Sequence, residues 1–194
     1  MNLARLLYPV TVLGPGNRVG LWVAGCSRRC PGCSNPELWL QREEYEASVE
    51  TVEALIRKIA QTRKIDGFTV SGGEPMEQGR SLSSLFSALQ DISTDILVYT
   101  GYEFAELSSS KSPEAQSLLQ CASVVIAGPY IEELNNNALL RGSSNQSIHI
   151  LKEEHSALYQ KYLCTSKNQI QNFSTTDGIV SVGIHRKTFQ EVLK

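Results

Sequence analysis

The strongest constraint on the fold is a series of four short, almost wholly apolar runs. They lie at 20–24, 67–70, 95–99 and 123–127, and glycine or a polar turn follows each run. Runs of this kind are typical of strands buried on both faces of a parallel sheet. Between them, apolar residues repeat at intervals of three and four over 49–59 and 82–89, as on one face of a helix. The alternation of strands and helices predicts right-handed βαβ units and an α/β fold.

The length of the chain limits how far such a fold can close. The chain has 194 residues, an ordinary size for one domain, whereas a complete eight-stranded βα barrel takes about 250 residues. We therefore predict a partial, open βα barrel in a single domain over 1–194. Its core covers about 8–150, and 151–194 form a short C-terminal extension. Runs at 147–151 and 178–182 and a helical pattern at 153–163 could close the sheet edge or form a small appendage.

Composition argues against two classes of partner. The chain carries 18 basic and 20 acidic side chains, so it lacks the one-signed charge of most proteins that bind nucleic acid or anionic membranes. No run reaches the roughly 18 to 20 apolar residues of a membrane span. Val-Ala-Gly-Cys at 23–26 resembles a lipoprotein cleavage site, but prolines, glycines and Arg18 interrupt the apolar stretch that a signal needs. We predict a cytoplasmic protein that binds neither nucleic acid nor membrane.

Three of the five cysteines, Cys26, Cys30 and Cys33, lie within eight residues, directly after a predicted strand. Clustered thiols in a chain without an export signal indicate a metal or redox site in a reducing compartment. Structural zinc normally takes four protein ligands, and the isolated Cys121 and Cys164 offer no matching context for a fourth. A zinc-binding module and three unconnected cysteines stay open as alternatives.

The C-x3-C-x2-C spacing suits an iron–sulfur cluster better than zinc. A 4Fe-4S cluster held by three thiolates keeps one iron free to bind another molecule. An open iron indicates chemistry rather than simple electron storage. A non-catalytic iron–sulfur electron carrier is the alternative from a different class of protein.

The cysteine motif resembles that of the radical S-adenosylmethionine (radical SAM) enzymes, and most closely the activating enzyme of anaerobic ribonucleotide reductase and its small single-cluster relatives. The resemblance covers roughly residues 8–150. Besides the cysteine loop, its motifs are Gly-Pro-Gly-Asn-Arg at 14–18, Ser-Gly-Gly-Glu-Pro at 71–75, Tyr-Thr-Gly-Tyr at 99–102 and Arg-Gly-Ser-Ser-Asn-Gln at 141–146. It implies a partial barrel of the radical SAM type, with Cys26, Cys30 and Cys33 as ligands of one 4Fe-4S cluster.

The turn at 71–75 follows a predicted strand, so Gly72 and Gly73 lie at the carboxyl end of a parallel strand, where α/β proteins bind ligands. Glycines there let the backbone approach a ligand closely. The resemblance implies that this turn holds the methionine ammonium group of SAM and that Glu74 supplies negative charge nearby.

Three further positions are assigned to SAM by the resemblance. Thr100 ends the strand at 95–99 and is the candidate for a polar contact beside the nucleoside. Gly32, between the second and third cysteines, matches the position whose backbone reads the adenine, and Ser34 follows close behind. The scattered histidines show no metal or triad spacing.

The resemblance also implies the reaction. The cluster takes one electron from an external donor, and SAM is cleaved to methionine and a 5'-deoxyadenosyl radical. Cluster and SAM carry this chemistry, so no catalytic side chain is assigned. The radical abstracts hydrogen from a polypeptide substrate, which is a precursor peptide for a maturase or splicease, or a glycyl-radical enzyme for an activase. A small accessory protein is a further candidate partner.

Three departures from the ribonucleotide reductase activators favour a relative with a different polypeptide substrate. Ala127 stands where those enzymes usually carry an acidic residue, and Ser-Arg-Arg at 27–29 stands where they tend to have a histidine. The tail beyond about residue 150 is also longer than they need. We expect Arg28 and Arg29 to be exposed beside the cluster loop and to meet an acidic peptide or an electron donor.

Overall fold

The structure is a computed structural model that describes residues 1–176 and 178–185. The strands over these residues are β1 Leu3–Val10, β2 Arg18–Val23, β3 Gly67–Gly72, β4 Ile96–Thr100, β5 Val124–Ala127, β6 Ser147–Ile150, β7 Ile170–Thr175 and β8 Gly178–Gly183. The α-helices are α1 Val49–Ala60, α2 Gly79–Ala88, α3 Phe104–Ser109, α4 Pro113–Cys121 and α5 Ser156–Thr165. None of the helices in the described ranges has the length and apolarity needed to cross a membrane.

Six strands form one sheet in the order β1-β2-β3-β4-β5-β6. Strands β2 to β5 run parallel, and β1 and β6 pair antiparallel at the two edges. The four predicted apolar runs are β2 to β5, and every residue of β2 and β5 is buried. The α/β class is therefore confirmed, whereas the partial barrel and the division into core and extension stay predictions.

Helices cover one face of this sheet and form the main core. Helix α1 begins after Ser48, whose hydroxyl accepts a hydrogen bond from the Thr51 N–H at 3.1 Å, as is typical of an N-cap. It buries Val52 and Ile56, which lie one turn apart. Helix α2 buries Leu82, Leu85 and Phe86 in the same way. Each such side chain stabilises the fold by about 1.5–3 kcal/mol through its burial.

The described residues beyond 150 cover the opposite face. Tyr159 of α5 is fully buried against Leu97, Val124 and Ile126. Strands β7 and β8 form a separate hairpin, and its Val182 is buried in a cluster with Leu13 and Trp22. The described part of the C-terminal segment is thus packed onto the sheet.

A buried charge network lies at the amino ends of the parallel strands. The Arg18 guanidinium is fully buried and pairs with the Asp95 carboxylate at 2.6 Å. It also donates to the Thr69 hydroxyl at 2.7 Å and the Phe68 carbonyl at 2.6 Å. The Tyr159 hydroxyl donates to Asp95 Oδ1 at 2.7 Å. This network connects α5 to the sheet, so the last residue of the Gly-Pro-Gly-Asn-Arg motif has a structural role.

Candidate cluster and cofactor site

One cavity of about 1120 Å³, including its open mouth, lies at the carboxyl ends of the parallel strands. The carboxyl ends of parallel strands are the place where α/β proteins bind ligands. Eight of the nine predicted site residues line it: Cys26, Cys30, Cys33, Ser34, Gly72, Gly73, Glu74 and Thr100. The exception is Gly32, where an added Cβ would lie 2.8 Å from the Glu132 carboxylate.

The two ends of the cysteine loop lie side by side. The Gly25 N–H donates to the Leu38 carbonyl at 2.8 Å, and the Cys26 N–H donates to the Trp39 carbonyl at 3.0 Å. Inside the loop, Gly32 adopts a φ of 70°, in the left-handed region that favours glycine. The sequence therefore folds this segment into a closed loop over the cavity.

The three thiols are partly exposed around this cavity. Burial raises the pKa of both Cys26 and Cys33, although backbone N–H donors oppose the shift. No three His, Cys, Asp or Glu side chains within the described ranges are placed to hold one metal ion. The three thiols line one cavity, and three thiolates are the donor set that a 4Fe-4S cluster with one open iron would use.

The glycine turn joins the ends of β2 and β3. The Gly73 and Glu74 N–H groups donate to the Val23 and Gly25 carbonyls at 2.7 and 2.8 Å. Gly72 has a φ of 103°, and a Cβ on Gly73 would overlap the Gly25 carbonyl oxygen. Glycine is therefore required at position 73 because the backbone of Gly25 lies too close for a side chain. Contact of this turn with SAM stays a prediction.

Glu74 is the most unusual ionisable group in the cavity. Its carboxylate is 1% exposed and accepts hydrogen bonds from the Met76 N–H, the Thr100 hydroxyl and the Gly101 N–H, at 3.0, 2.8 and 2.8 Å. Burial raises its pKa to about 7, against these donors. It forms no ion pair with any described residue. A buried carboxylate that has neutral donors and faces a cavity is suited to bind a cationic group.

Thr100 holds Glu74 in place. Its hydroxyl donates to Glu74 and accepts from the Tyr102 N–H at 3.2 Å. The hydrogen of this hydroxyl is thus donated to the carboxylate, and the contact of Thr100 with a nucleoside stays a prediction. Ser34 lies exposed at the rim of the cavity.

The two arginines of the cysteine loop differ from each other. The Arg28 guanidinium stacks on the Tyr102 ring, 4.8 Å from its centroid, and lines the cavity. Arg29 is exposed, as expected. The expectation that both are exposed is wrong for Arg28, because the aromatic ring lies close enough to hold the cation at the wall of the site.

Sequence reasoning missed one wall of the cavity. Residues 180–185, from β8 and the segment after it, line the same space as the three thiols. The pattern at 178–182 predicted a strand, but nothing local could place it opposite the cysteine loop. Trp39 is a second omission: it lines the cavity, and its buried indole N–H makes no hydrogen bond of good geometry with a described residue.

The Arg-Gly-Ser-Ser-Asn-Gln turn also reaches the site. The Gln146 side chain donates to the Gly128 carbonyl at 2.9 Å and accepts from the Gly142 N–H at 2.8 Å. These three residues line the cavity. The turn is therefore fixed to the end of β5 and forms part of the mouth.

The fold and the site together define the class of this protein. It is an α/β protein in which three cysteine thiols line a cavity at the carboxyl ends of the parallel strands. The family model described as "4Fe-4S single cluster domain" matches residues 12–149. The chain therefore belongs to this single-cluster 4Fe-4S family. Because the match stops at residue 149, α5, β7 and β8 lie outside it.

Curated relatives share this part of the chain. One from Vibrio cholerae is 37% identical over 150 residues, which cover 73% of this chain and 94% of that protein. Others from Salmonella typhimurium and enterobacteria phage T4 are 32% and 33% identical over 153 residues, covering 75% and 76% of this chain and 96% and 93% of those proteins. Each is named anaerobic ribonucleoside-triphosphate reductase-activating protein. The resemblance predicted from the sequence is thus confirmed.

Proposed function

We propose that this chain is a radical SAM enzyme that acts on a polypeptide partner of the glycyl-radical type. The observation that carries the proposal is the shared cavity, in which three thiols and a buried carboxylate without a cationic partner among the described residues face the same space. The family match and the names of the relatives support it.

Each part of the site has a task in this proposal. Cys26, Cys30 and Cys33 hold a 4Fe-4S cluster as thiolates. Glu74 receives the ammonium group of SAM, whose positive charge supplies the counter-ion that the described residues do not. When bound, cluster and SAM together supply reductive cleavage to methionine and a 5'-deoxyadenosyl radical, with the electron from an external donor. The wall formed by 180–185 shields this space from water.

Anaerobic reconstitution with iron and sulfide, followed by absorption and EPR spectra with and without SAM, tests this proposal. We expect close to four irons per chain, a reduced-cluster EPR signal that SAM changes, and methionine formation after dithionite reduction. A cluster whose signal is unaffected by SAM would indicate an electron carrier. Stoichiometric zinc without iron would indicate the zinc module. Either outcome would overturn the proposal.

The other two cysteines provide matched controls. Cys121 is partly buried in α4 and Cys164 is exposed in α5, and neither lines the cavity. Alanine at Cys26, Cys30 or Cys33 should abolish the cluster, whereas Cys121→Ala and Cys164→Ala should keep the iron content of the wild type. Loss of the cluster in a control variant, with retention in a variant of the triplet, would contradict the assignment.

The partner can be tested directly. The relatives are named as activators of anaerobic ribonucleoside-triphosphate reductase, and we propose an enzyme of this kind as the substrate. Mixing the reduced, SAM-loaded protein with that reductase should produce a glycyl-radical EPR doublet in the reductase. Absence of the doublet, with SAM cleavage intact, would remove this substrate and keep the reaction type.

A precursor peptide is the second candidate substrate, and one observation favours it. The wall at 180–185 belongs to the segment outside the family match. Such a wall narrows the space available to a large partner but admits a thin peptide. Mass spectrometry of candidate peptides after reduced turnover would reveal a modified product. A glycyl radical on the reductase together with unmodified peptides would exclude this candidate.

A further inference from the structure

Trp39 links the two ends of the cysteine loop. Its carbonyl accepts the Cys26 N–H at 3.0 Å, so its backbone is fixed beside the first thiol. Its indole ring lines the same cavity as the Cys33 thiol. Burial raises the pKa of that thiol, and the Trp39 N–H opposes the rise. The N–H still makes no hydrogen bond of good geometry with a described residue, although it is buried.

The chemistry of sulfur explains why this donor lacks a good acceptor. A neutral thiol is a weak acceptor, and a buried N–H normally has a partner. A thiolate bound to iron carries negative charge and accepts much more strongly, because hydrogen bonds to charged groups are the stronger ones. The unpaired indole N–H is therefore suited to the cluster-bound form of Cys33.

Cys33 already has one other donor. The Asn35 backbone N–H donates to its sulfur at 3.4 Å. The Trp39 indole would add a second N–H, from the other end of the loop, to the same sulfur. Hydrogen bonds to cluster sulfurs are among the features that set the reduction potential of iron–sulfur proteins.

We propose that the Trp39 indole N–H is a positioning donor to the cluster-ligating sulfur of Cys33 and raises the reduction potential of the cluster. The inference rests on the proposed function in requiring that Cys33 ligates a cluster. The reduced cluster carries one more negative charge than the oxidised cluster, so a donor to its sulfur stabilises the reduced form more. Loss of the N–H should make the cluster harder to reduce.

An EPR-monitored redox titration of the reconstituted full chain tests the inference without measuring activity. In Trp39→Phe, which keeps an aromatic ring and removes the N–H, we expect the ratio of reduced to oxidised cluster at a fixed potential to fall about tenfold. For a one-electron couple this equals about 59 mV. Iron content should stay at the wild-type value, because Trp39 is not a ligand.

Trp22 provides a matched control, since it lines the same cavity and is the other tryptophan of the chain. Trp22→Phe should change the ratio less than twofold. An unchanged potential in Trp39→Phe with its cluster intact would overturn the inference and leave the proposed function standing. Failure of the wild-type protein to bind a cluster would instead overturn both.

If Trp39→Phe loses its cluster, a second measurement tests whether the Trp39 indole N–H donates to the cluster-ligating sulfur. The Trp22→Phe protein carries Trp39 as its single indole. Labelled with ¹⁵N in the indole ring, it should show a nitrogen coupling to the reduced cluster in pulsed EPR. Absence of that coupling would overturn the inference.

Discussion

Two buried carboxylates lie at opposite ends of the parallel strands. Asp95 immediately precedes β4 and is 2% exposed, and Glu74 follows β3 and is 1% exposed. Asp95 has its counter-charge in the chain, since Arg18 lies 2.6 Å away and Tyr159 adds a hydrogen bond. Glu74 has three neutral donors and a neighbouring carboxylate, Glu77, that raises its pKa further.

The comparison indicates that the Asp95 carboxylate has a structural role, whereas the Glu74 carboxylate is suited to bind a cationic ligand. Burial of an ion is costly in both places, and a partner of opposite charge offsets that cost. At Asp95 the fold supplies the partner. At Glu74 the cavity leaves room for a cation from outside the chain. Stability should therefore depend on the first carboxylate and ligand binding on the second.

We expect the largest effect on stability at Asp95, the carboxylate that has its counter-charge within the chain. Asp95→Ala leaves Arg18 buried without its counter-charge and removes the acceptor of Tyr159, so it should lower the free energy of unfolding by about 3–5 kcal/mol. Urea denaturation measures this loss. Glu44→Ala, which removes an exposed pair with Arg42, is the control and should cost less than about 1 kcal/mol. Similar losses in both variants would refute the distinction.

At Glu74, the dependence of stability on pH should be opposite to that of an ordinary ion-paired carboxylate, whose pKa is lowered by folding. The pKa of Glu74 rises from 4.5 to about 7 on folding, so the folded state holds the proton more tightly. Its contribution is most favourable below about pH 4.5 and is lost as the pH rises to 7, by about 3 kcal/mol in all. Unfolding of wild type and Glu74→Gln across this range measures the difference. Parallel pH profiles would contradict the assignment.

Binding of SAM should depend on whether Glu74 is ionised. If the SAM ammonium group pairs with ionised Glu74, affinity rises with pH by up to about tenfold per unit below pH 7 and then levels off. Glu74→Gln should bind more weakly and without this dependence. Anaerobic calorimetry in two buffers of different ionisation enthalpy would measure the affinity and the released proton. A wild-type affinity that is flat across pH 5.5–8 would refute the pairing.

The smallest effect is expected at the rim, where charge is solvated. Arg29→Glu should slow turnover with the polypeptide partner by less than about tenfold, with strong salt dependence, because rim charges act mainly on encounter. Cleavage of SAM in the absence of substrate should be unchanged. Arg28→Glu should reduce both rates, since Arg28 stacks on Tyr102 at the cavity wall. Equal behaviour of the two variants would contradict their different placement.

Features with a local cause could be predicted from the sequence. Strands β2 and β5 are buried along their whole length and β3 and β4 along most of theirs, so their apolar runs are recognisable. The spacing of the three cysteines requires one loop, and a turn after β3 places Glu74 at the carboxyl end of the sheet. Strand β1 escaped prediction because it is an edge strand whose residues are mostly half-buried, which leaves no clear pattern.

Tertiary structure alone decided the partners of these residues. Arg18 and Asp95 are separated by 77 positions, the wall at 180–185 comes from the far end of the described chain, and Thr100 reaches Glu74 from the next strand. Spacing along a chain determines which side chains share a turn, a strand or a helix face. Which charge is neutralised, and which faces an open cavity, depends on packing between distant segments.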